Sequence, residues 1–291
     1  MPNRIAVTGA SGLIGRPVVA TLEGLGHEVV ALGRRDVDGV QTIRCDLLDD
    51  RSRQDAVRSA SAEVLVHLAW YDGPDRWTSR ANLHWTRATL MLAEEFAEAG
   101  GRRAIAAGSC AEYDWSTERL GEDTALRPST LYGAAKAATG LAMVRGATAL
   151  GLSVAWARLF FCYGPGEPEG RLLGDLARGL RRGRAVPCTD GRQERDFLHT
   201  GDIARALALL IDAPANDAIN IGSGTPVPVA ALIKLAERLV DGPGHAELGA
   251  LQRPEGDPSR LFADTTQLQS LGFAPRFDLE SGLRDALGVG A

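Results

Sequence analysis

A glycine-rich loop near the beginning of the chain restricts the fold more than any other feature of the sequence. It occupies residues 8–15 and lies between a short apolar run, residues 5–8, and a segment with helical periodicity. Glycines at such a junction let the chain turn tightly, and they bring backbone N–H groups and a helix N-terminus against a pyrophosphate. Strand, loop and helix in this order predict a dinucleotide-binding unit, and a plain glycine-rich turn is the alternative. The loop residues expected to contact the cofactor are Gly9, Ser11, Gly12, Leu13, Ile14 and Gly15.

Short β-branched runs alternate with amphipathic stretches over the first two thirds of the chain. This alternation predicts an α/β fold with a doubly wound parallel sheet, the Rossmann arrangement. The expected strands are 5–8, 28–32, 42–45, 64–68, 103–107 and 154–159, and the expected helices include 83–99 and 131–149. After residue 160, prolines and turn signals break up the pattern. We therefore expect a dinucleotide-binding domain over 1–160 and a smaller α/β substrate-binding lobe over 161–291, with 195–199 and 218–221 able to return to the main sheet.

Composition excludes several classes of protein. The formal net charge of -5 argues against a nucleic-acid-binding surface, which would show a clustered basic excess. The one basic run, at residues 178–184, has the helical spacing of a solvated face. The four cysteines have neither CxxC nor Cys/His spacing, so we expect no metal site and no disulfide framework. Without an apolar leader or a membrane-length apolar stretch, the sequence predicts a cytoplasmic protein that does not bind membranes.

The spacing of the glycines and the end of the second expected strand bear on the cofactor. Gly-x-x-Gly-x-x-Gly with Thr8 in front resembles the short-chain dehydrogenase/reductase superfamily. An acidic residue after the second strand usually binds the ribose 2′-hydroxyl of NAD. Here that position is Gly33-Arg34-Arg35, and two guanidinium groups suit a 2′-phosphate. The favoured cofactor is therefore NADP, and NAD is the alternative because Asp36 could supply the missing acid.

Two further segments fall where the resemblance implies cofactor contacts. Asp46 and Leu47, at the end of the third expected strand, look like the pair that holds the adenine ring, although Asp46 could instead cap the next helix. The same resemblance implies that Leu68, Ala69 and Trp70 line the nicotinamide pocket.

A tyrosine and a lysine form the expected catalytic pair. Tyr132 and Lys136 are four residues apart and therefore share one face of a helix that begins near residue 129 or 130. A tyrosine has an ordinary pKa of about 10, and we expect the ammonium and an oxidised nicotinamide to lower it toward neutral pH. Ser109 follows strand 103–107, at the sheet edge where active sites of open α/β sheets gather. We predict Ser109, Tyr132 and Lys136 as the catalytic residues.

The order of motifs makes the resemblance more specific. Residues 107–113 and 131–136, then 158–166, 195–199, 220–222 and 253–257, are similar to the extended NAD-dependent epimerase/dehydratase family over nearly the whole chain. By that resemblance Arg195 and Arg253 would bind the diphosphate of a nucleotide sugar and Asp257 would help hold its ribose. Guanidinium forks match phosphate oxygens, and surface ion pairs are the alternative role. The resemblance also implies a homodimer formed through helices 83–99 and 131–149.

Departures from the family pattern restrict the reactions that this chain is expected to catalyse. The Asp-Glu pair of its 4,6-dehydratases is replaced here by Cys110-Ala111, which disfavours elimination of water. Ala111 also stands where the epimerase-reductases carry a cysteine, and Phe161 stands where epimerases commonly carry a substrate-binding asparagine. These positions disfavour both dehydration and the epimerase-reductase activity. Simple hydride transfer is therefore the reaction that we expect.

The expected function is therefore NAD(P)H-dependent reduction of a 4-keto (deoxy)sugar nucleotide, with Tyr132 as the proton donor. An NAD-dependent nucleotide-sugar 4-epimerase and a ketoreductase of a non-sugar natural-product intermediate are the alternatives. A non-catalytic dinucleotide-binding protein is disfavoured because Ser109, Tyr132 and Lys136 are all present.

Overall fold

A parallel sheet of seven strands forms the centre of the protein and confirms the predicted α/β fold. The computed structural model describes residues 2–213 and 216–289. The strands of the sheet are β1 (Arg4–Thr8), β2 (Glu28–Gly33), β3 (Gln41–Arg44), β4 (Val64–His67), β5 (Arg103–Ser109), β7 (Ser153–Leu159) and β11 (Ala218–Ile221). Their order across the sheet is β11-β7-β5-β4-β1-β2-β3, and every pair is parallel.

The direction of winding reverses between β1 and β4. From β1 the chain proceeds to β2 and β3 on one side, and from β4 it proceeds to β5, β7 and β11 on the other. Connections leave this point in opposite directions, so a crevice opens at the carboxyl ends of β1 and β4, where open α/β sheets bind their ligands.

Helices cover both faces of the sheet, because the strands are apolar on both faces. These helices are α1 (Gly15–Gly24), α2 (Asp50–Ala60), α3 (Ala81–Glu98), α4 (Leu131–Leu150) and α6 (Thr200–Asp212). Helices α1 and α6 pack on one face through residues such as Leu22 and Leu207. Helices α2, α3 and α4 pack on the other through residues such as Val57, Leu92 and Met143.

A second layer lies above the crevice and is built mostly from the C-terminal part, with one strand, residues 119–120, contributed by the first 160 residues. Its sheets contain β6 (Arg119–Leu120), β8 (Phe161–Tyr163), β9 (Ala185–Cys188), β10 (Glu194–His199), β12 (Pro226–Pro228), β13 (His245–Leu248) and β14 (Arg260–Ala263). Five of them form one sheet around β10, and β9 pairs with β13. The remaining helices are α5 (Leu172–Arg181), α7 (Val229–Leu239), α8 (Thr266–Ser270) and α9 (Leu279–Leu287). Helices α5, α7 and α9 share a separate apolar cluster.

Of the two segments expected to return to the main sheet, one does. Strand β11 pairs with β7, whereas the segment at 195–199 belongs to β10 of the second sheet. The correction has a physical reason at Asp196. Its buried carboxylate accepts hydrogen bonds from the backbone N–H groups of Ser223, Gly224 and Ala263, which ties β10 to that sheet.

Candidate active site

A cleft of about 980 Å³ opens at the carboxyl ends of the central strands. Its floor is formed by the glycine loop after β1, Leu68 after β4, Ser109 at the end of β5 and Leu159 at the end of β7. Its roof comes from the C-terminal layer, including Phe197 of β10. The fold therefore brings the sequence-predicted cofactor loop and catalytic residues to one cavity.

Close backbone contacts explain the glycines of the loop. Gly9 has a φ of +70°, and a Cβ there would lie 2.8 Å from the backbone nitrogen of Ala69. A Cβ on Gly15 would lie 2.0 Å from the carbonyl oxygen of Gly9. Larger side chains at either position would push the loop away from β4 or open the turn.

The N-terminus of α1 has backbone donors directed toward the cleft. Gly12, Leu13, Ile14 and Gly15 line it. Within the described residues, no hydrogen-bond acceptor is found for the N–H groups of Leu13 and Ile14. Unsatisfied N–H groups at a helix N-terminus form an anion site, so this loop fits a pyrophosphate. Ser11 is part of the same turn, and its carbonyl oxygen accepts from Arg16 at 3.2 Å.

The residues after β2 differ in how they are paired. Arg34 and Arg35 are exposed, and the described part of the chain offers neither of them an ion pair within 4.0 Å. Asp36 accepts from Nε of Arg44 at 2.8 Å, and this hydrogen bonding lowers the pKa of Asp36. The acid that could have replaced a ribose-binding carboxylate is therefore held by Arg44.

The segment after β3 leaves Asp46 exposed. Its Oδ1 accepts from the backbone N–H of Leu48 at 3.0 Å. Asp49, and not Asp46, caps α2 by accepting from the N–H of Ser52 at 2.8 Å. Helix capping therefore does not explain Asp46, while Leu47 is buried beneath the segment.

Tyr132 and Lys136 occupy the first turns of α4, as the sequence predicts. Thr130 caps this helix by accepting from the N–H of Gly133 at 3.1 Å. A Cβ on Gly133 would lie 2.1 Å from the carbonyl oxygen of Ala111, so glycine lets the helix approach the turn after Ser109. The Ser109 and Tyr132 side chains interact by hydrogen bonding, so two of the three predicted catalytic residues are neighbours.

Lys136 is buried and has contacts of its own. Its Nζ donates to the carbonyl oxygen of Ala107 at 2.6 Å and lies 3.8 Å from the ring centre of Trp70. Trp70 is fixed in turn by donating from Nε1 to Asn82 at 2.9 Å. Leu68 and Trp70 line the cleft, and Ala69 packs behind them in the core.

Burial dominates the titration of this pair. It raises the pKa of Tyr132 to about 12, and the hydrogen bond with Ser109 offsets part of the rise. Burial also lowers the pKa of Lys136 to about 7. The sequence reasoning expected the ammonium and an oxidised nicotinamide together to lower the tyrosine pKa, which stays a prediction. Desolvation of the phenol acts in the opposite direction, and the Lys136 ammonium is directed at Ala107 and Trp70.

Glu112 is a functional candidate that the sequence reasoning missed. Its carboxylate is fully buried and accepts from the N–H of Ser109 at 2.7 Å, from Trp156 at 2.9 Å and from Nε of Arg158 at 2.8 Å. Arg158 also donates to the hydroxyl of Tyr113 at 2.9 Å. An arginine inside the apolar run of β7 was the available signal, since a buried charge requires a partner.

The two residues after Ser109 supply no acid or base. Cys110 is buried, and desolvation raises the pKa of its thiol to about 12. Ala111 has no ionisable group, and its N–H donates to Ser109 Oγ at 3.2 Å. Phe161, in place of an asparagine, lies with its ring centre 5.5 Å from the guanidinium of Arg195.

The three residues predicted to bind the substrate lie together. Arg195 donates to Asp257 Oδ1 at 2.5 Å, and Arg253 lies 3.5 Å from Asp257 Oδ2. Arg195, Pro254 and Asp257 line the cleft. One carboxylate thus serves both guanidinium groups: Arg253 pairs with it within the segment 253–257, and Arg195 reaches it from β10.

Several charged residues of the cleft were not singled out from the sequence, among them Arg76, Glu167 and Arg171. Arg76 lies between β4 and α3, and Glu167 and Arg171 lie between β8 and α5. Nothing in the local pattern distinguishes them from ordinary loop residues, because their proximity results from the fold.

Two other kinds of feature are absent from the described residues. No cluster of three or more His, Cys, Asp or Glu side chains among residues 2–213 and 216–289 is arranged to hold a metal ion. None of the helices in the same ranges is both long and apolar enough to cross a membrane.

Comparison with known proteins identifies related sequences and structures. The profile of the NAD dependent epimerase/dehydratase family matches residues 5–222. The dTDP-glucose 4,6-dehydratase of Streptomyces niveus is 28% identical over 96% of this chain and 90% of its own length. The dTDP-4-dehydro-6-deoxy-D-allose reductase of Streptomyces bikiniensis is 28% identical over 97% of this chain and 94% of its own.

Among solved structures, MoeE5 is similar over the whole fold. Its complex with UDP-glucuronic acid and NAD is 31% identical to this chain, with a TM-score of 0.86 and 98% of each chain covered. MoeE5 has also been solved with UDP-glucose and NAD.

Proposed function

This chain belongs to the NAD dependent epimerase/dehydratase family, and on that premise we propose that it is an NAD(P)H-dependent reductase of a 4-keto sugar nucleotide. The observation that carries the proposal is the convergence of the glycine loop, Ser109 and Tyr132 on one cleft. Relatives named as sugar-nucleotide reductases and dehydratases support the substrate class.

The residues of the cleft fit a dinucleotide. The unsatisfied N–H groups of Leu13 and Ile14 would hold the pyrophosphate. Asp46 is exposed and free of a capping role, which suits a contact with the adenine amino group. Leu68 and Trp70 would lie against the nicotinamide, and a bound NADPH would supply the hydride.

Tyr132 acts as the proton donor in this proposal. Because burial raises its pKa to about 12, the phenol holds its proton at neutral pH and is ready to donate as negative charge develops on the carbonyl oxygen. The Ser109 hydroxyl orients the same oxygen through a hydrogen bond. Lys136 lies one turn further along α4 and stabilises the phenolate left after donation.

NADP is the favoured cofactor. Arg34 and Arg35 are exposed without ion-pair partners in the described residues, and Asp36 is held by Arg44. A 2′-phosphate would thus meet two available guanidinium groups, while the Asp36 carboxylate is held by Arg44.

The diphosphate of the substrate would bind at the other end of the cleft. Arg195 and Arg253 already converge on Asp257, so their guanidinium groups are oriented toward one anionic centre. We propose that phosphate oxygens replace the carboxylate there and that Asp257 turns to the ribose of the nucleotide.

Elimination of water is not part of the proposal, although a dehydratase is among the relatives. Cys110 and Ala111 stand in place of the acid/base pair, and the buried Cys110 thiol stays protonated at neutral pH.

A nucleotide-sugar 4-epimerase that retains NAD is the second candidate. The NAD bound beside UDP-glucose or UDP-glucuronic acid in MoeE5 favours it. The same Ser109, Tyr132 and Lys136 would serve a reversible oxidation and reduction at C4.

Two organisational proposals accompany the function. We propose a homodimer through the outer face of α3 and α4, where Leu83 and Leu141 are about half exposed. We also propose residues 1–160, together with β11, as the dinucleotide-binding domain, and most of residues 161–291 as the substrate-binding lobe.

Fluorescence titration tests this function. NADPH and NADH are titrated alone and with UDP or dTDP present, and turnover of a 4-keto sugar nucleotide is followed in parallel. Tight NADPH binding with turnover supports the reductase, and retained NAD without preference for NADPH supports the epimerase. If neither UDP nor dTDP changes the binding of the cofactor, the sugar assignment is overturned in favour of a non-sugar ketone.

A further inference from the structure

The wall of the cleft beside Tyr132 carries two arginines from distant loops. The backbone N–H of Tyr132 donates to the carbonyl oxygen of Trp77 at 3.1 Å, and the two rings meet edge to face with centres 5.3 Å apart. The Arg76 guanidinium lies 5.0 Å from the centre of the Trp77 ring. Arg76 is thus held one side chain away from the reacting phenol.

Arg171 approaches the same place from the opposite loop. It directly precedes α5, and one of its guanidinium nitrogens lies 3.5 Å from the Cys162 sulfur, a weak acceptor. Both Arg76 and Arg171 interact electrostatically with Tyr132 and Cys162. The two positive charges therefore surround one small region of the cleft.

These arginines lack the counter-ions that other charged groups of the protein have. In the described ranges, no carboxylate lies within 4.0 Å of either guanidinium group. Burial and the nearby charge of Arg171 lower the pKa of Arg76. For Arg171, burial is outweighed by the charge and weak hydrogen bond of Cys162 and by the charge of Glu167, which raise its pKa. The repulsion between the two guanidinium groups therefore acts mainly on Arg76, and an anion bound between them would relieve it.

Glu167 is the nearby acid, and its charge acts on Arg171. Its Oε2 is buried without a hydrogen-bond partner in the described residues. It makes no ion pair within 4.0 Å, and burial raises its pKa to about 7, so it is only partly ionised at neutral pH. Asp72 interacts with Arg76 but is exposed and equally unpaired.

We propose that Arg76 and Arg171 bind a carboxylate on the sugar, so that the substrate is a nucleotide-linked hexuronic acid. The inference rests on the proposed function, which puts the C4 oxygen at Tyr132. Of the two carbons that flank C4, C3 carries a hydroxyl group and C5 carries the C6 group. In a hexuronic acid that C6 group is a carboxylate, whose planar fork matches guanidinium donors.

The roles of the cleft's two cationic regions are then distinct. Arg195 and Arg253 share Asp257, which offsets part of their positive charge until a diphosphate replaces the carboxylate. Arg76 and Arg171 have no such internal substitute, and their position beside Tyr132 assigns them to the sugar ring rather than to the nucleotide.

The test measures binding and does not depend on turnover. UDP-glucuronic acid and UDP-glucose are titrated calorimetrically in the presence of NADPH, against wild type, Arg76→Gln and Arg171→Gln. We expect wild type to prefer UDP-glucuronic acid at least tenfold. Each variant should weaken that binding about tenfold to a hundredfold, the value of a charge-assisted hydrogen bond, and leave UDP-glucose within twofold.

Matched variants separate a direct contact from general electrostatics. Arg76→Lys and Arg171→Lys keep the charge and should retain part of the preference. Arg80→Gln removes a positive charge from an exposed position of the same loop as Arg76 and should change neither affinity. The thermal midpoint of the ligand-free Arg76→Gln variant should equal or exceed that of wild type, because repulsion from Arg171 is relieved.

Each contrary outcome has a separate meaning. Equal affinity of wild type for the two sugars, or equal loss of both in the variants, overturns the uronic-acid assignment. Binding of UDP or dTDP without either UDP-sugar overturns it as well. Failure of every nucleotide to bind overturns the proposed function itself.

Discussion

The floor and the outer wall of the cleft handle charge in opposite ways. On the floor, Glu112 and Arg158 are buried, and their polar atoms are paired with each other, with Trp156 and with the backbone of Ser109. On the wall, Arg76 and Arg171 are partly exposed and have no ion-pair partner among the described residues. A satisfied network fixes geometry, whereas unpaired charge raises the energy of the free protein and favours a ligand.

The largest effect is expected where the two regions meet, at Tyr132. Replacing Tyr132 by Phe removes the proton donor, so turnover should fall about 100- to 10,000-fold. NADPH affinity should change little, because the ring and its contact with Trp77 are kept. Tyr163→Phe is the matched control, since it removes a phenol hydroxyl from a core residue outside the cleft. Steady-state kinetics at saturating NADPH check both variants, and activity above a tenth of wild type in Tyr132→Phe would contradict the role.

Breaking the floor network should cost stability. Glu112→Gln leaves the Arg158 guanidinium buried without its counter-charge, which we expect to lower the free energy of unfolding by about 3–5 kcal/mol. Glu94→Gln, on an exposed position of α3, should remain within about 0.5 kcal/mol of wild type. Urea denaturation followed by circular dichroism measures both, and equal midpoints would show that the network does not hold the floor.

At the cofactor end we expect a smaller effect, which changes cofactor affinity and leaves stability unchanged. Replacing both Arg34 and Arg35 by Ala removes exposed, unpaired charge, so stability should not change measurably. NADPH affinity should fall about tenfold or more with NADH affinity unchanged, because only NADPH carries the 2′-phosphate. Arg58→Ala, an exposed arginine of α2, is the control for loss of charge alone. Parallel losses for both cofactors would assign these arginines to another role.

The last effect is a change in stability that depends on pH, and it concerns Glu167, the unpaired acid of the wall. Burial raises the pKa of Glu167 to about 7, above its unfolded value, so the folded state binds more protons between about pH 4.5 and 7. Stability contributed at this position is therefore highest at low pH and is lost as the pH rises through that window. Glu167→Gln should be more stable than wild type by on the order of 1–3 kcal/mol at pH 8, and this gain should vanish near pH 4.

The exposed Glu169 in the same loop provides the comparison for Glu167. Glu169→Gln should show the wild-type dependence of unfolding free energy on pH. A constant difference between Glu167→Gln and wild type across the pH range would refute the raised pKa.

The contrast between floor and wall also explains which features of the fold and of the site could be predicted from the sequence. Strand ends, the loop of Gly9 and Gly15, and the pair of Tyr132 and Lys136 were predictable because each depends on local spacing or on the known edge of a parallel sheet. The wall was not predictable, because Arg76 and Arg171 are joined only by tertiary structure.

The sequence also did not show which charged residues form ion pairs with each other. Asp257 serves both Arg195 and Arg253, and Arg44 holds Asp36, although each charged residue has acidic or basic neighbours closer along the chain. The burial of the Tyr132 phenol was hidden for a related reason, since it depends on the packing of Trp77 and α4 and not on the spacing to Lys136.

The most direct test of the account follows the hydride itself. NADPH carrying deuterium at C4 of the nicotinamide, on one face and then on the other, is incubated with the protein and a 4-keto sugar nucleotide. The product is analysed by mass spectrometry and NMR. The account predicts one deuterium on C4 of the sugar from one of the two labelled cofactors, with Tyr132→Phe forming little product. A reduced sugar without deuterium, or no oxidation of NADPH by any 4-keto sugar nucleotide, would contradict it.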